Sequence, residues 1–216
     1  MTDAAAQRLR GLAVVVLFAA WAVAAHVGSA GNGHPDINVT LGLMPIALVA
    51  GLLLRRLPQP LPPLGAAAGL LLLIWLWPQL RGNVATLYWL QHLGTHLALG
   101  WLFGRTLFGP GEALVTQLAR RVFRHGISAR KVRYTRQVTI AWTAFFFGNA
   151  ALSTALFLFA PTDIWSIHAN LLTGPLIGLM FVGEYLCRRI KLPIEERPSF
   201  ATAIRAWRAP QDGGQA

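Results

Sequence analysis

Residues 88–99 read YWLQHLGTHLAL, with two histidines and a glutamine inside an apolar run. His92 and His96 are four apart, so a helix would place both imidazoles on one face, about 6 Å apart along its axis. Neutral imidazoles at that spacing can bind a metal ion, carry a proton or hold a ligand. No glutamate follows His92, so the HExxH hydrolase pattern is absent. Cys187 is the one cysteine, which excludes a thiolate metal set and an internal disulfide. A third metal ligand would have to come from another segment. His26 and His168 are placed for that, with Asn149 and Asn170 near enough to share an outward-opening polar cavity. The simpler use of these side chains is hydrogen bonding between helices, because lipid offers a buried polar group no partner. The expectation is that no metal and no cofactor is held.

Glu184 is the acidic residue inside an apolar block, about one turn from its end in FVGEYLCRR (181–189). An intramembrane carboxylate suggests proton transfer or a ligand contact. At this depth it can also pair with Arg136 or Arg188, and pairing with Arg136 is the structural expectation. His92, His96 and Glu184 are therefore the candidate catalytic residues. No nucleophile-plus-base arrangement, phosphate loop or dinucleotide glycine motif accompanies them.

The elements that must position these residues follow from composition. The chain has 216 residues, 55% hydrophobic and 12% charged. Its apolar residues fall in blocks of roughly 20, the length that crosses a bilayer core. Six spans are predicted, at 9–30, 38–54, 64–80, 84–104, 137–160 and 164–187. With the N-terminus inside, every Lys and Arg except Arg81 falls on the cytoplasmic side, as the positive-inside rule requires. The net charge of +11 is then an orientation signal, not a nucleic-acid footprint. Span 1 has a second reading as a signal peptide, since Arg8 and Arg10 precede the apolar run and VGSA (27–30) offers small residues near a cleavage point.

The long loop 105–136 carries Pro110 at a helix start, Glu112 in a first turn and Gly126 past an end. Leu114, Val115, Leu118, Ala119, Val122 and Phe123 recur at helical spacing between them. The spacing predicts an amphipathic helix on the cytoplasmic membrane surface. Arg120, Arg121, Arg124, Arg130, Lys131 and Arg133 would form a basic patch there, lying on lipid or docking an acidic partner. The expected integral domain is 1–192. The tail 193–216 repeats the amphipathic pattern at 199–208, with Phe200, Ile204 and Trp207 on one face. Gly100 with Gly104, and Gly174 with Gly178, are small-xxx-small pairs that predict close helix contact, and Pro175 predicts a kink.

KVRYTRQVTIAWTAFFFGN (131–149) and GLMFVGEYLCRR (178–189) carry a resemblance. The pattern is Tyr134, Thr135 and Arg136 entering a helix, then Trp142, Phe145, Phe146 and Asn149, then Gly183, Glu184 and Tyr185 before arginines. It resembles an uncharacterised family of bacterial multi-pass inner-membrane proteins encoded beside acyl carrier protein, ketosynthase and acyltransferase genes in aryl-polyene-type clusters. The resemblance covers 131–189, and the first 87 residues match only as apolar spans. It implies a role near acyl-chain synthesis or delivery, with Tyr134, Arg136, Asn149 and Glu184, together with His168 and Asn170, as ligand or partner contacts. The expectation is an all-α polytopic bundle with both termini inside. Its function would be that of a non-enzymatic accessory or scaffold for acyl or aryl-polyene lipid handling. Its partners would be membrane lipids and acyl carrier protein or acyl-chain synthesis enzymes. The alternatives are a membrane-embedded enzyme acting on a lipidic acyl chain, and a small transporter of a lipidic product.

Overall fold

The computed structural model describes residues 3–123 and 126–193. The regular elements among them are all helical. They are α1 (Asp3–Ser29), α2 (Pro35–Leu54), α3 (Leu61–Gly82), α4 (Val84–Gly104), a 3-10 turn at Arg105–Leu107, α5 (Leu114–Val122), α6 (Ala129–Phe159), α7 (Thr162–Ser166), a π-helical segment at Ile167–Leu172 and α8 (Thr173–Lys191). The expected tail helix 199–208 and Arg124 lie outside the described residues.

Five helices are long and apolar enough to cross a membrane: Leu9–Ser29 within α1, then α2, α3 and α6, and the continuous stretch Thr162–Lys191. α4 has the length, 21 residues, but is not among the five. Gln91, His92, Thr95 and His96 are what dilute it. Large apolar side chains stand outward along these helices, among them Leu17, Phe18, Leu71 and Trp75, and α3 buries no residue at all. A water-soluble fold does not leave such continuous apolar surface uncovered. The chain is an all-α membrane protein.

Helix ends differ from the apolar blocks where charge and turn chemistry take over. α6 begins at Ala129, eight residues before the apolar block, because Lys131 to Arg136 continue the helix without a breaker. α5 is correspondingly shorter than the expected amphipathic helix and starts at Leu114. The last long helix is not uniform. Its wide turn, Ile167–Leu172, precedes Pro175, which lacks the N–H needed to close an α-helical bond back into that segment. Of the paired glycines, Gly100 and Gly104 meet α6, where an added Cβ would lie 3.0 Å from the Phe147 ring and 3.1 Å from Thr143 Cγ2. Gly178 has nothing within 4 Å.

The described chain divides into two compact units. The first holds the residues up to Leu93 together with Leu152–Gly174. Its α1–α2 turn uses Gly31 and Gly33 at φ +87° and +85°, a region L side chains avoid. α2 starts on Pro35 with Asp36 in its first turn, where the helix dipole favours an anion. Asp36 Oδ1 accepts from Trp77 Nε1 at 2.9 Å and pairs with Arg81 Nε at 3.0 Å, which joins α2 to α3. The core is Ala25, Tyr88, Trp165 and Ala169, and Trp89 stacks on Phe157 at 4.8 Å.

The second unit holds Gly94–Ala151 and the residues from Pro175. Tyr134, Val138, Trp142 and Phe146 recur every four residues and form the buried stripe of α6. Thr135, Thr139 and Thr143 make a second stripe, each hydroxyl bonding back to the carbonyl four residues earlier. α5 docks on that stripe. Thr116 Oγ1 and Thr135 Oγ1 are 2.7 Å apart, and the first-turn amides of Leu114 and Val115 donate to Thr106 Oγ1 and Thr139 Oγ1. Ala113 at the N-cap cannot cap, so threonines from elsewhere satisfy those orphan donors.

Candidate functional site

Both units contain polar side chains that bond to one another. In the first unit a polar group lies on α1, α4, α7, the π-helical segment and the first residue of α8. Ser166 Oγ is 2.8 Å from His26 Nδ1 and 2.7 Å from Ser29 Oγ. Asn170 Nδ2 donates to both serines, at 2.9 Å and 3.2 Å. His92 Nε2 lies 3.0 Å from Thr173 Oγ1, and Thr173 donates its one hydrogen to the carbonyl of His168, also at 3.0 Å. Nε2 of His92 is then the donor to Thr173. The rings of His92 and His168 meet edge-on at 5.9 Å.

His96 belongs to the second unit and is buried against Phe146. Asn149 Nδ2 donates to its Nε2 at 2.7 Å. The two histidines of the motif thus face different partners. Among the described residues no three His, Cys, Asp or Glu side chains come together as a metal set. Gln91 reaches from α4 to the carbonyl of Gly42 at 2.7 Å, next along α2 from the Leu41 carbonyl whose helical donor Pro45 removes. Tyr88 donates to the Asn38 carbonyl at 3.2 Å.

The larger site of the second unit lies between α6 and α8. It is a groove of about 260 Å³. Val138, Ala141, Trp142, Leu179 and Met180 form its apolar wall, and Tyr134, Gln137, Glu184 and Lys191 its polar end. Arg188 Nη2 meets Glu184 Oε2 at 2.5 Å, one turn along the same helix. Tyr134 Oη lies 2.9 Å from the Glu184 carbonyl and 3.0 Å from its Oε1, so its one hydrogen is shared between them. Glu184 is therefore engaged on both oxygens by groups in its own unit. Arg136 does not reach it and donates instead to the carbonyl of Leu107 at 3.0 Å. The expected Arg136–Glu184 pair is replaced by Arg188 and Tyr134, because the i,i+4 arginine is already on the same helix face. Lys191 Nζ reaches the side-chain oxygen of Gln137 at 3.1 Å.

The basic residues around α5 do not act alike. Arg120 forms a two-bond pair with Glu112, at 2.5 Å and 2.6 Å. That bond lowers the Glu112 carboxyl below its ordinary value, and it raises Arg120 in turn. Lys131 is 3% exposed and lies 2.9 Å from the centre of the Phe123 ring, turned inward from the expected patch. Arg121, Arg130 and Arg133 stand exposed.

Reading the sequence missed Ser29, Ser166 and Thr173, which carry no periodic signal. It also missed the threonine stripe of α6, whose four-residue spacing was visible. Comparison of the chain with protein-family models, curated proteins and solved structures gives no match.

Proposed function

We propose that this chain is a multi-pass protein of the bacterial inner membrane that serves, without catalysis, as an accessory in acyl or aryl-polyene lipid handling. The observation that carries this reading is the amphiphilic groove of the second unit. Tyr134, Trp142, Gly183 and Glu184, four of the residues behind the family resemblance, line that one groove. Polar groups at one end and an apolar wall along the rest suit a molecule with a head and a chain. Glu184 supports binding over chemistry, since Arg188 and Tyr134 occupy both of its oxygens.

In this reading six segments cross the bilayer with both termini inside, and α4 is the sixth. What supports α4 as a span is the pairing of its polar groups. Tyr88, Gln91, His92 and His96 each bond to another helix within their own unit. That is the condition under which polar side chains are tolerated in hydrocarbon. The exposed arginines at 121, 130 and 133 would meet anionic lipid or an acidic acyl carrier protein.

Purification from native membrane in mild detergent, with mass spectrometry of bound proteins and lipids, tests the reading. Recovery of an acyl carrier protein, a chain-synthesis enzyme or an enriched acyl lipid is the expected result. Recovery of bulk membrane lipid alone, in bulk proportions, would overturn it.

A further inference from the structure

The α6–α8 groove has a charge imbalance that its apolar wall does not explain. Two charged residues line it, Glu184 and Lys191. Glu184 is neutralised by Arg188 at 2.5 Å. The hydrogen-bond partner of Lys191 Nζ among the described residues is the uncharged amide of Gln137, and Lys191 is exposed. Among the described residues, the mouth of the groove therefore presents one cation whose partner is an amide and not a carboxylate.

From Lys191 the groove runs along α8 to Leu179, about 18 Å of helix at 1.5 Å per residue. Trp142, largely buried, forms its floor beside Met180. Trp142 is held there by Phe146 and Phe181, with ring centres at 5.5 Å and 4.8 Å. The aromatic floor is thus fixed before any ligand arrives, which lowers the ordering cost of binding. Lys191 closes α8, where a span leaves the hydrocarbon and headgroups begin, so charge and wall are placed at the depths a lipid-like molecule needs.

We propose that this groove binds one chain of an anionic amphiphile, its carboxylate or phosphate head held by Lys191 Nζ and its chain laid against Trp142, Met180 and Leu179. The proposal rests on the lipid-handling reading and adds the charge of the head and the residue that selects it. Glu184 contributes by holding Arg188 in place, which leaves Lys191 as the cation that meets the head.

The test uses the full-length protein in phosphatidylcholine nanodiscs and a long-chain alkyl carboxylate carrying a photoactivated diazirine. Saturable crosslinks to peptides spanning 134–142 and 179–191 are expected. Unlabelled long-chain carboxylate and alkyl phosphate should displace the probe, and an alkyltrimethylammonium of equal length should not. Lys191→Gln should weaken binding about tenfold, the loss typical of one charge-assisted bond, while Lys191→Arg keeps it within about threefold. Displacement by phosphatidylglycerol as well would support the site and assign its ligand to the bilayer. Displacement by inorganic phosphate as strong as by alkyl phosphate would overturn the proposal, since the chain would then contribute nothing. If crosslinks stay in the groove but the cation competes equally, or Lys191→Gln binds as the parent does, the head assignment falls and the lipid-handling reading stands. If no saturable crosslink forms in the groove, both fall.

Discussion

Glu184 shows how a carboxylate placed among apolar residues is made tolerable. Its two oxygens meet Arg188 and Tyr134, whose one phenol hydrogen is shared between the carboxylate and the Glu184 carbonyl. Residues sharing one network couple, and residues without a shared partner add within about 0.5 kcal/mol. Tyr134→Phe and Glu184→Gln should therefore be non-additive in thermal stability measured in detergent, by about 0.5 to 1.5 kcal/mol. Arg136→Ala and Glu184→Gln should add, because Arg136 is bonded to Leu107. Coupling of Arg136 instead of Tyr134 would show that the carboxylate has the other partner. The Asn149–His96 bond is the second buried test. Asn149→Ala should cost about 1 kcal/mol in thermal stability, the scale of interhelical hydrogen bonds in membranes. The identity of these residues as interesting was legible from their polarity in apolar blocks. Their partners were not, because a partner is set by which helix faces which, and 53 residues separate His96 from Asn149.

At the level of elements, close approach is encoded by glycine but only where a neighbour uses it. A Cβ at Gly28 would lie 2.7 Å from Asn38 Oδ1 and 2.8 Å from its Cγ. Asn38 cannot swing away freely, since its Nδ2 donates to the Asn32 carbonyl at 2.9 Å. Gly28→Ala should destabilise the α1–α2 hairpin by about 1 to 3 kcal/mol, while Gly51→Ala, with open space around it, should be neutral or better. The Gly28→Ala penalty should shrink in an Asn38→Ala background, and equal penalties in both backgrounds would refute the steric account. The docking of α5 gives an element-scale prediction with pH. Glu112 has a lowered carboxyl in the folded protein, chiefly through its bond to Arg120. Such a group contributes stability above its ordinary range, near pH 4.3, and loses it as pH falls through the lowered value. The protection of the α5 amides, taken relative to intrinsic exchange at each pH, should therefore fall below about pH 4, and Glu112→Gln should show that lower protection already at neutral pH with no acid step. An acid step of unchanged size in Glu112→Gln would place the titration elsewhere. The apolar stripe of α5 was readable from spacing. Its docking was not, because Thr106 and Thr139 supply the caps from outside the helix.

For the whole molecule, the strongest sequence signal is the run of apolar blocks, and helices occupy all of them. That follows from a single constraint, that a chain in hydrocarbon must satisfy its backbone internally. What length and apolarity leave undecided is α4, where pairing has to compensate for Gln91, His92 and His96. If α4 crosses, the turn after α3 and the loop before α5 lie on opposite sides of the membrane. If it does not, they share a side, and the charges after it change sides relative to those before. The proposed topology makes this measurable. In a Cys187→Ser background, single cysteines at Asn32, Asn83 and Asp163 should react with a membrane-impermeant maleimide from outside, and cysteines at Gly109 and Gly111 should react only after the inner face is opened. Labelling at 83 and 109 from the same side would remove α4 from the spans, and with it the inside placement of Arg10, Arg55 and Arg56 together with the arginines at 121, 130 and 133. Labelling from opposite sides would leave an α-helix with three paired polar side chains crossing the bilayer, and the expected consequence is then specific. Gln91→Leu, which makes α4 more apolar, should nonetheless lower stability, by about 1 kcal/mol, because the bond from α4 to the Gly42 carbonyl of α2 is lost where lipid offers no replacement.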